Sequence, residues 1–280
     1  MNFLPATPPS KGLQWSGKTD RGHVRPNNED AFIGLQFDAR EVHHLGAIGE
    51  GQTGHLDFVF AVSDGMGGAK AGEHASRIAV QKITALLPRS YRQAAIGLDA
   101  GFEDVLDELF GDVHAELARL GRCYEECSGM ETTLTLCWFT PGRMYFGHIG
   151  DSRVYQLSAQ GGPIRQLTHD DTHVGWLRRT GKINEWEART HPRRNVLQKA
   201  LGGGNQFVSP QMGAVTYESG DIFLLCTDGL VDGLEDALLT ENLRHPELTE
   251  PNANAARRLV EESLSKSGRD NTTALVIRVI

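Results

Sequence analysis

Short apolar blocks, separated by Gly, Pro, Asn and Asp, recur along most of this chain, while three stretches place their apolar residues three or four positions apart. The blocks LQWSGKT (13–19), DAFIGLQ (30–36), DFVFAVSD (57–64), TTLTLCWFT (132–140), RMYFGHIGDSRVYQL (143–157), PIRQLT (163–168), DIFLLCTDG (221–229) and TTALVIRVI (272–280) predict β-strands. TPGR (140–143) supplies a hairpin turn between two of them. In EHASRIAVQKITALLP (73–88), Ile78, Ile83, Leu86, Leu87 and the stem of Lys82 fall on one helical face. In FEDVLDELFGDVHAELARL (102–120), Val105, Leu109, Val113 and Leu117 repeat that spacing. A third helix is expected in NANAARRLVEESLSKSG (252–268), starting near Asn252 or Asn254 and ending at Gly268. Strand blocks separated by helix pairs predict an α+β fold, with sheet packed on sheet and helices outside, rather than a doubly wound parallel sheet.

The segment 170–195 interrupts this pattern: it is polar and strand-free, and Asn184 with Glu187 makes a capping box for a short helix. It reads as a mobile flap at about 171–195. Its Trp176, Arg178, Arg179, Arg193 and Arg194 fit a solvated helix face first and substrate contacts second. The segment 38–57 is long for a hairpin connection, and His43 and His44 within it read as exposed loop histidines rather than metal ligands. No linker or repeat divides the rest, so a flexible tail (1–12) should precede a single domain (13–280).

With 39% hydrophobic and 23% charged residues, the chain can bury a sizeable core. It has no run of about eighteen apolar residues to span a membrane, and no basic-then-apolar leader. Of its four cysteines, Cys137 and Cys226 lie inside apolar runs as core thiols, and Cys123 and Cys127 form an isolated pair too sparse for a zinc site. These features fit a reducing cytoplasm. A net charge of −8 argues against nucleic acid as a partner.

Gly12 to Thr19 matches the G-x-x-x-x-G-K-[ST] phosphate-loop pattern, closed by Gly17, Lys18 and Thr19. That loop works only between a buried strand and a helix, where free backbone N–H groups converge on phosphate. Proline-rich sequence lies before it and a Gly-Pro-Asn turn after it, so the match reads as a strand and no nucleotide site is expected.

The informative pattern is acidic. Asp64 follows FVFAVS, Asp151 follows MYFGHIG, Asp228 follows IFLLCT, and Asp270 precedes the last strand, so each sits at the edge of an apolar block. Any one of them alone reads as a turn residue. Four such carboxylates, joined by Arg25, Glu29 and Asp30, converge only if cations neutralise them, and an all-oxygen set favours Mg²⁺ or Mn²⁺ over zinc.

In this order, RPNNEDA (25–31), SDGMGGAKAGE (63–73), HIGDSR (148–153), THDDT (168–172), CTDGL (226–230) and RDNTT (269–273) resemble the motifs of the metal-dependent Ser/Thr protein phosphatases of type 2C, in their bacterial form. The resemblance covers roughly residues 15 to 280. It implies a four-layer α-β-β-α sandwich, two mostly antiparallel sheets flanked by helices, with a dinuclear Mn²⁺ or Mg²⁺ centre at one edge. It also implies that Asp64 bridges both metals, that the Gly65 carbonyl adds a ligand, and that Asp228 and Asp270 complete the second metal. Glu29 and Asp30 would bind metal directly or hold metal-bound waters, Asp151 with Asp228 would hold a third metal, and Arg25 would grip the phosphate. The implied partners are proteins phosphorylated on Ser or Thr, a kinase or its substrates. Hydroxide formed between two cations attacks phosphorus directly in such a centre, with no phosphoenzyme.

Two positions depart from the family pattern: Met66 stands where eukaryotic relatives carry a His able to protonate the leaving group, and Glu131 stands where bacterial relatives carry Gly. Two rival readings remain. Ser152 in GDS suggests an acyl-transfer nucleophile, but no His follows His245 to serve it. A catalytically silent phosphoprotein binder is the other, against which stands the presence of Asp64, Asp228 and Asp270 together.

Overall fold

A computed structural model of the chain describes residues 10–38, 40–54, 56–67, 69–95, 101–204, 208–244 and 254–280. The first strand, β1 (Gly12–Asp20), is followed by β2 (Asp30–Phe37), β3 (Val42–His44), β4 (Ile48–Gln52) and β5 (Asp57–Met66). Helices α1 (Ala69–Ala95) and α2 (Phe102–Cys123) come next, and then β6 (Glu131–Thr132), β7 (Leu134–Thr140), β8 (Arg143–Ile149), β9 (Arg153–Leu157) and β10 (Arg165–Gln166). The last third runs α3 (His173–Arg179), α4 (Glu185–Thr190), β11 (Leu201–Gly202), β12 (Gln211–Thr216), β13 (Ile222–Cys226), α5 (Asp228–Gly233), α6 (Asp236–Leu243), α7 (Ala255–Lys266) and β14 (Thr272–Val279).

The strands form two sheets in which every pairing is antiparallel. One has the order β10-β9-β13-β14-β1-β4; the other runs β11-β6-β5-β7-β8-β12, with β2 on β5 and β3 on β2. Side chains alternate across a strand, and that alternation sorts the core into three clusters. Phe58, Phe60 and Val62 of β5 meet Phe223 and Leu225 of β13 and Leu275 and Ile277 of β14 between the sheets. Val59 and Ala61 point the other way, onto Ala75, Ala79 and Ile83 of α1 and Val113 and Leu117 of α2. Leu224 and Cys226 point onto Leu230, Leu259 and Val260 of α5 and α7. The result is the expected α-β-β-α sandwich.

Differences from the sequence reading lie at boundaries and edges. The first helix is longer than 73–88, and RMYFGHIGDSRVYQL divides into β8 and β9, which belong to different sheets. The long connection 38–57 contains β3 and β4, and β4 crosses over to pair with β1 of the other sheet. His43 and His44 are exposed on β3, with His43 Nε2 3.1 Å from Glu41 Oε2. TPGR is the two-residue hairpin turn, pairing Thr140 with Arg143 and holding Gly142 at φ 76°. Asn254 caps α7 through Arg257 N at 2.8 Å, while Asn252 falls outside the described residues. At the other end the ladder reaches Gly12, and Lys11 N is tied to Thr53 Oγ1 at 3.1 Å, so two residues of the expected tail already make ordered contacts. The phosphate-loop match lies wholly within β1, where Gly17, Lys18 and Thr19 pair with Leu275, Ala274 and Thr273.

Candidate metal centre

The carboxylates converge because strands from both sheets end on one side of the sandwich. Asp30 opens β2 and stands in register with Asp64 near the end of β5. Asp228 starts α5 immediately after β13, Asp270 lies just before β14, and Asp151 occupies the turn where the chain leaves one sheet at β8 and enters the other at β9. Backbone geometry holds the arms still. The Asp64 backbone is tied at both ends: its N–H donates to Thr133 Oγ1 at 2.9 Å, and its carbonyl accepts from Thr133 N at 2.8 Å and Thr132 Oγ1 at 2.7 Å. Gly65 is packed so closely on α1 that a Cβ there would collide with the Gly72 carbonyl oxygen.

Asp30 Oδ2 accepts from Thr227 Oγ1 at 2.8 Å and Thr273 Oγ1 at 2.7 Å, both on the opposite sheet's side. Asp30 Oδ1 and Asp228 Oδ1 are buried without any hydrogen-bond partner. Burial pushes the Asp30 and Asp151 carboxyls each up to about 7. For Asp64 and Asp228, burial and then the neighbouring carboxylates raise the pKa well above the ordinary range: Asp30, Asp228, Asp151 and Asp270 act on Asp64, and Asp151, Asp270 and Asp232 act on Asp228. Five carboxylates thus repel one another across a small volume, an arrangement that is stable at neutral pH only with protons or cations among them.

Hard divalent cations fit this set on its own chemistry. Every donor is oxygen, and two buried oxygens lack partners that a cation would supply. Among the described residues, no three His, Cys, Asp or Glu side chains already close into a compact ligand cage. Mutual repulsion opposes such closure, and Mg²⁺-type ions keep several waters rather than taking an all-protein cage.

Arg25 Nη2 lies 2.7 Å from Asp270 Oδ2, with about half of its side chain, 51%, open to solvent. Glu29 sits beside it, with its pKa raised by burial and lowered by Arg25. Met66 pairs with Glu131 across β5 and β6, so no ionisable side chain stands at residue 66. The Glu131 side chain lies over Gly203, which has no Cβ to oppose it, and the neighbouring Gly65–Thr132 pairing is intact. Ser152 is buried with its Oγ 3.0 Å from Thr133 Oγ1, which removes the acyl-transfer reading.

Several contributors were not singled out by sequence. Buried His148 is held with Nδ1 2.8 Å from Thr135 Oγ1 and Nε2 3.0 and 3.1 Å from the Gly150 and His169 carbonyls, and burial lowers its pKa. That pattern assigns a neutral ring donating from Nε2, which fixes the turn carrying Asp151. Arg153 forms a two-pronged ion pair with Asp170 at 2.9 and 2.6 Å beneath the same turn. Asp232 lies four residues beyond Asp228, a helical spacing that puts it on the same face of α5.

The 171–195 segment forms α3 and α4, and the capping box is present: Asn184 Oδ1 accepts from Glu187 N at 2.9 Å, and Glu187 Oε2 accepts from Asn184 N at 2.8 Å. Arg178 and Arg194 line a cavity of about 260 Å³ that Asp151 and Asp228 also line. Arg179 instead donates to the Asp170 carbonyl at 2.9 Å, Trp176 carries Lys182 Nζ 4.0 Å above its ring, and Arg193 is exposed.

A family model described as Protein phosphatase 2C matches residues 47–267. The serine/threonine protein phosphatase PstP of Mycobacterium tuberculosis is 34% identical over 271 residues, spanning 96% of this chain and 45% of its own length. The chain therefore spans less than half of that relative. The serine/threonine phosphatase stp of Listeria innocua is 31% identical over 261 residues, covering 93% of both chains. Among solved structures, the Mycobacterium tuberculosis phosphatase PstP/Ppp superposes with a TM-score of 0.75 at 32% identity, over 95% of this chain and 98% of that one. The catalytic domain of PstP in complex with two manganese ions gives a TM-score of 0.74 at 30% identity, over 97% and 100%.

Proposed function

This chain belongs to the protein phosphatase 2C family, and on that premise we propose that it hydrolyses phosphoserine and phosphothreonine in proteins, reversing the work of a bacterial Ser/Thr kinase. The observation that carries the reading is the pair of buried, unpartnered carboxyl oxygens, Asp30 Oδ1 and Asp228 Oδ1, among carboxylates that repel one another. Asp64, the Gly65 carbonyl, Asp228 and Asp270 are the proposed holders of two Mn²⁺ or Mg²⁺ ions, with Glu29 and Asp30 beside them and Asp151 with Asp228 for a third. Bound there, such ions supply a water of lowered pKa and neutralise charge on the phosphoryl oxygens. A soluble, cytoplasmic setting belongs to the same proposal; among the described residues, no helix is long and apolar enough to cross a membrane.

The chain's own residues do the rest. The Thr132 and Thr133 bonds fix the Asp64 backbone at the end of β5, so its side chain starts from a set place at the centre. Arg25 keeps one N–H on Asp270 and turns the remainder of its planar fork to solvent, where it matches two phosphate oxygens. Met66 provides no proton, so residue 66 is not the general acid for the leaving alkoxide.

The test is hydrolysis of p-nitrophenyl phosphate and a phosphothreonine peptide after EDTA treatment, with Mn²⁺, Mg²⁺, Ca²⁺ or Zn²⁺ restored one at a time. Mn²⁺ should restore turnover to the wild type, and Asp228→Asn should lower it by at least about a hundredfold, the upper end of losses seen for groups that only support a metal ligand. A folded protein that binds Mn²⁺ yet turns over neither substrate with any metal would replace this reading with a silent phosphoprotein binder.

A further inference from the structure

The segment 171–195 carries six Lys and Arg against three Asp and Glu, a net +3 within a chain of net −8. Three of its arginines, Arg178, Arg189 and Arg194, line the cavity above Asp151 and Asp228. Arg194 is matched, with Nη2 2.9 Å from Asp232 Oδ2. The other two bracket a single carboxylate loosely: Arg178 Nη2 is 3.5 Å from Glu185 Oε2, and Arg189 Nε is 3.7 Å from Glu185 Oε1. Arg189 reaches exposed Glu235 at 3.7 Å as well. A guanidinium closed on a carboxylate stands at about 2.7–2.9 Å, as Arg153 does on Asp170 in the same cavity at 2.9 and 2.6 Å. Glu185 therefore sits between two donors and holds both loosely, Arg178 at the outer limit of a hydrogen bond and Arg189 beyond it.

We propose that Arg178 and Arg189 form an acceptor for an acidic side chain of the substrate peptide, close in sequence to the phosphorylated residue, and that Glu185 occupies it as an internal stand-in. The proposal rests on the phosphatase reading and adds the substrate class: phosphopeptides with Asp or Glu close to the phosphoserine or phosphothreonine. The cavity joins the two sites physically, because Asp151 and Asp228 of the proposed metal centre and the two arginines share its wall. Charge supports the same choice, since a basic flap on an acidic protein attracts acidic segments and discourages basic ones.

The experiment compares kcat/KM for phosphothreonine peptides in which one Glu is moved through the positions on either side of the phosphoresidue, each paired with its Gln counterpart, in Mn²⁺. The wild type should prefer Glu over Gln by about tenfold at one or two positions, the scale of two half-exposed ion pairs. The preference should shrink as salt rises from about 0.05 to about 0.5 M. Arg178→Gln and Arg189→Gln should each cut the ratio by about threefold, and Arg178→Lys should keep more of it. Glu185→Gln, which empties the acceptor, should raise the ratio. A damaged flap would slow both members of a pair alike and leave the ratio unchanged, which counts against the proposal, as does a wild type indifferent to Glu at every position or a lowered ratio in Glu185→Gln. Wild-type turnover of p-nitrophenyl phosphate, which has no flanking residues, reports separately on the phosphatase reading.

Discussion

Asp30 stands opposite Asp64 with one oxygen clamped by two threonine hydroxyls and the other bare. Its replacement by Asn keeps the clamped acceptor and the shape while removing the charge. Burial lifts this carboxyl from 3.8 to about 7, and roughly three pH units at about 1.4 kcal/mol each set an upper figure of about 4 kcal/mol for the charged form in the metal-free fold. Neighbouring carboxylates share that penalty, and the new amide N–H adds a donor needing a partner at about 1 kcal/mol. A net gain of about 2–3 kcal/mol is expected where the wild-type group is ionised. The sign follows from the raised pKa: the folded chain binds a proton that the unfolded chain releases, so this contribution is full below about pH 4 and lost as pH rises to about 7. In EDTA, Asp30→Asn should therefore melt above the wild type by a margin that grows from pH 5 to pH 8, reaching about 4 °C for 280 residues at about 2.1 cal/mol/K each. Added Mn²⁺ should reverse the order, because only the wild type offers the bare oxygen. Differential scanning calorimetry at both pH values, with and without Mn²⁺, makes the comparison. An Asp30→Asn protein that melts below the wild type at pH 8 in EDTA would show that the carboxylate is a structural anchor and that the electrostatic argument for the centre is wrong.

Gly65→Ala places a methyl group against the Gly72 carbonyl, which must separate the end of β5 from α1; a loss of at least about 3 kcal/mol by urea denaturation and weakened Mn²⁺ binding by calorimetry are expected, and unchanged Mn²⁺ affinity would remove Gly65 from the centre. Lys18→Ala should alter stability by less than about 0.5 kcal/mol, since its amine only approaches half-buried Asp20 at 3.6 Å, and neither protein should bind a fluorescent ATP analogue. Nucleotide binding by the wild type that Lys18→Ala abolishes would restore the phosphate-loop reading.

What the sequence disclosed, and what it hid, follows burial. β5, β13 and β14 are covered on both faces, so nearly every position must be apolar and a short continuous run announces each strand. β4 and β12 are edge strands with partly exposed residues, and IGEGQ and QMGAVT show no such run. Gly49 and Gly51 look like loop residues, yet they are glycines because the rings of Trp15 and Phe58 lie where side chains would be. At the centre, Asp64, Asp151, Asp228 and Asp270 were visible because a carboxylate at the edge of an apolar run is conspicuous. Thr227 and Thr273 were not, because a threonine near a strand end has many uses, and their common purpose appears only when both hydroxyls meet on Asp30. The Arg153–Asp170 pair is hidden for the same reason: seventeen residues separate two charges that only tertiary packing buries together.

The placement of these residues ties the chemistry to the architecture. Asp30 and Asp64 end strands of one sheet, Asp228 and Asp270 flank strands of the other, and Asp151 sits where the chain crosses between them. Between the sheets, the aromatic and aliphatic cluster around Phe58, Phe60, Phe139 and Phe223 holds the layers together. At the carboxylate end that apolar contact gives way to like charges facing each other across the gap, bridged by the Asp30 to Thr227 and Asp30 to Thr273 hydrogen bonds. Thr227 is committed there so fully that, although it stands at the N-cap of α5, its hydroxyl takes the Thr273 N–H at 3.0 Å instead of capping the helix. A cation placed among those carboxylates would thus join the two sheets as well as serve the reaction, which makes the rigidity of the sandwich and the spacing of the centre one property of the same residues.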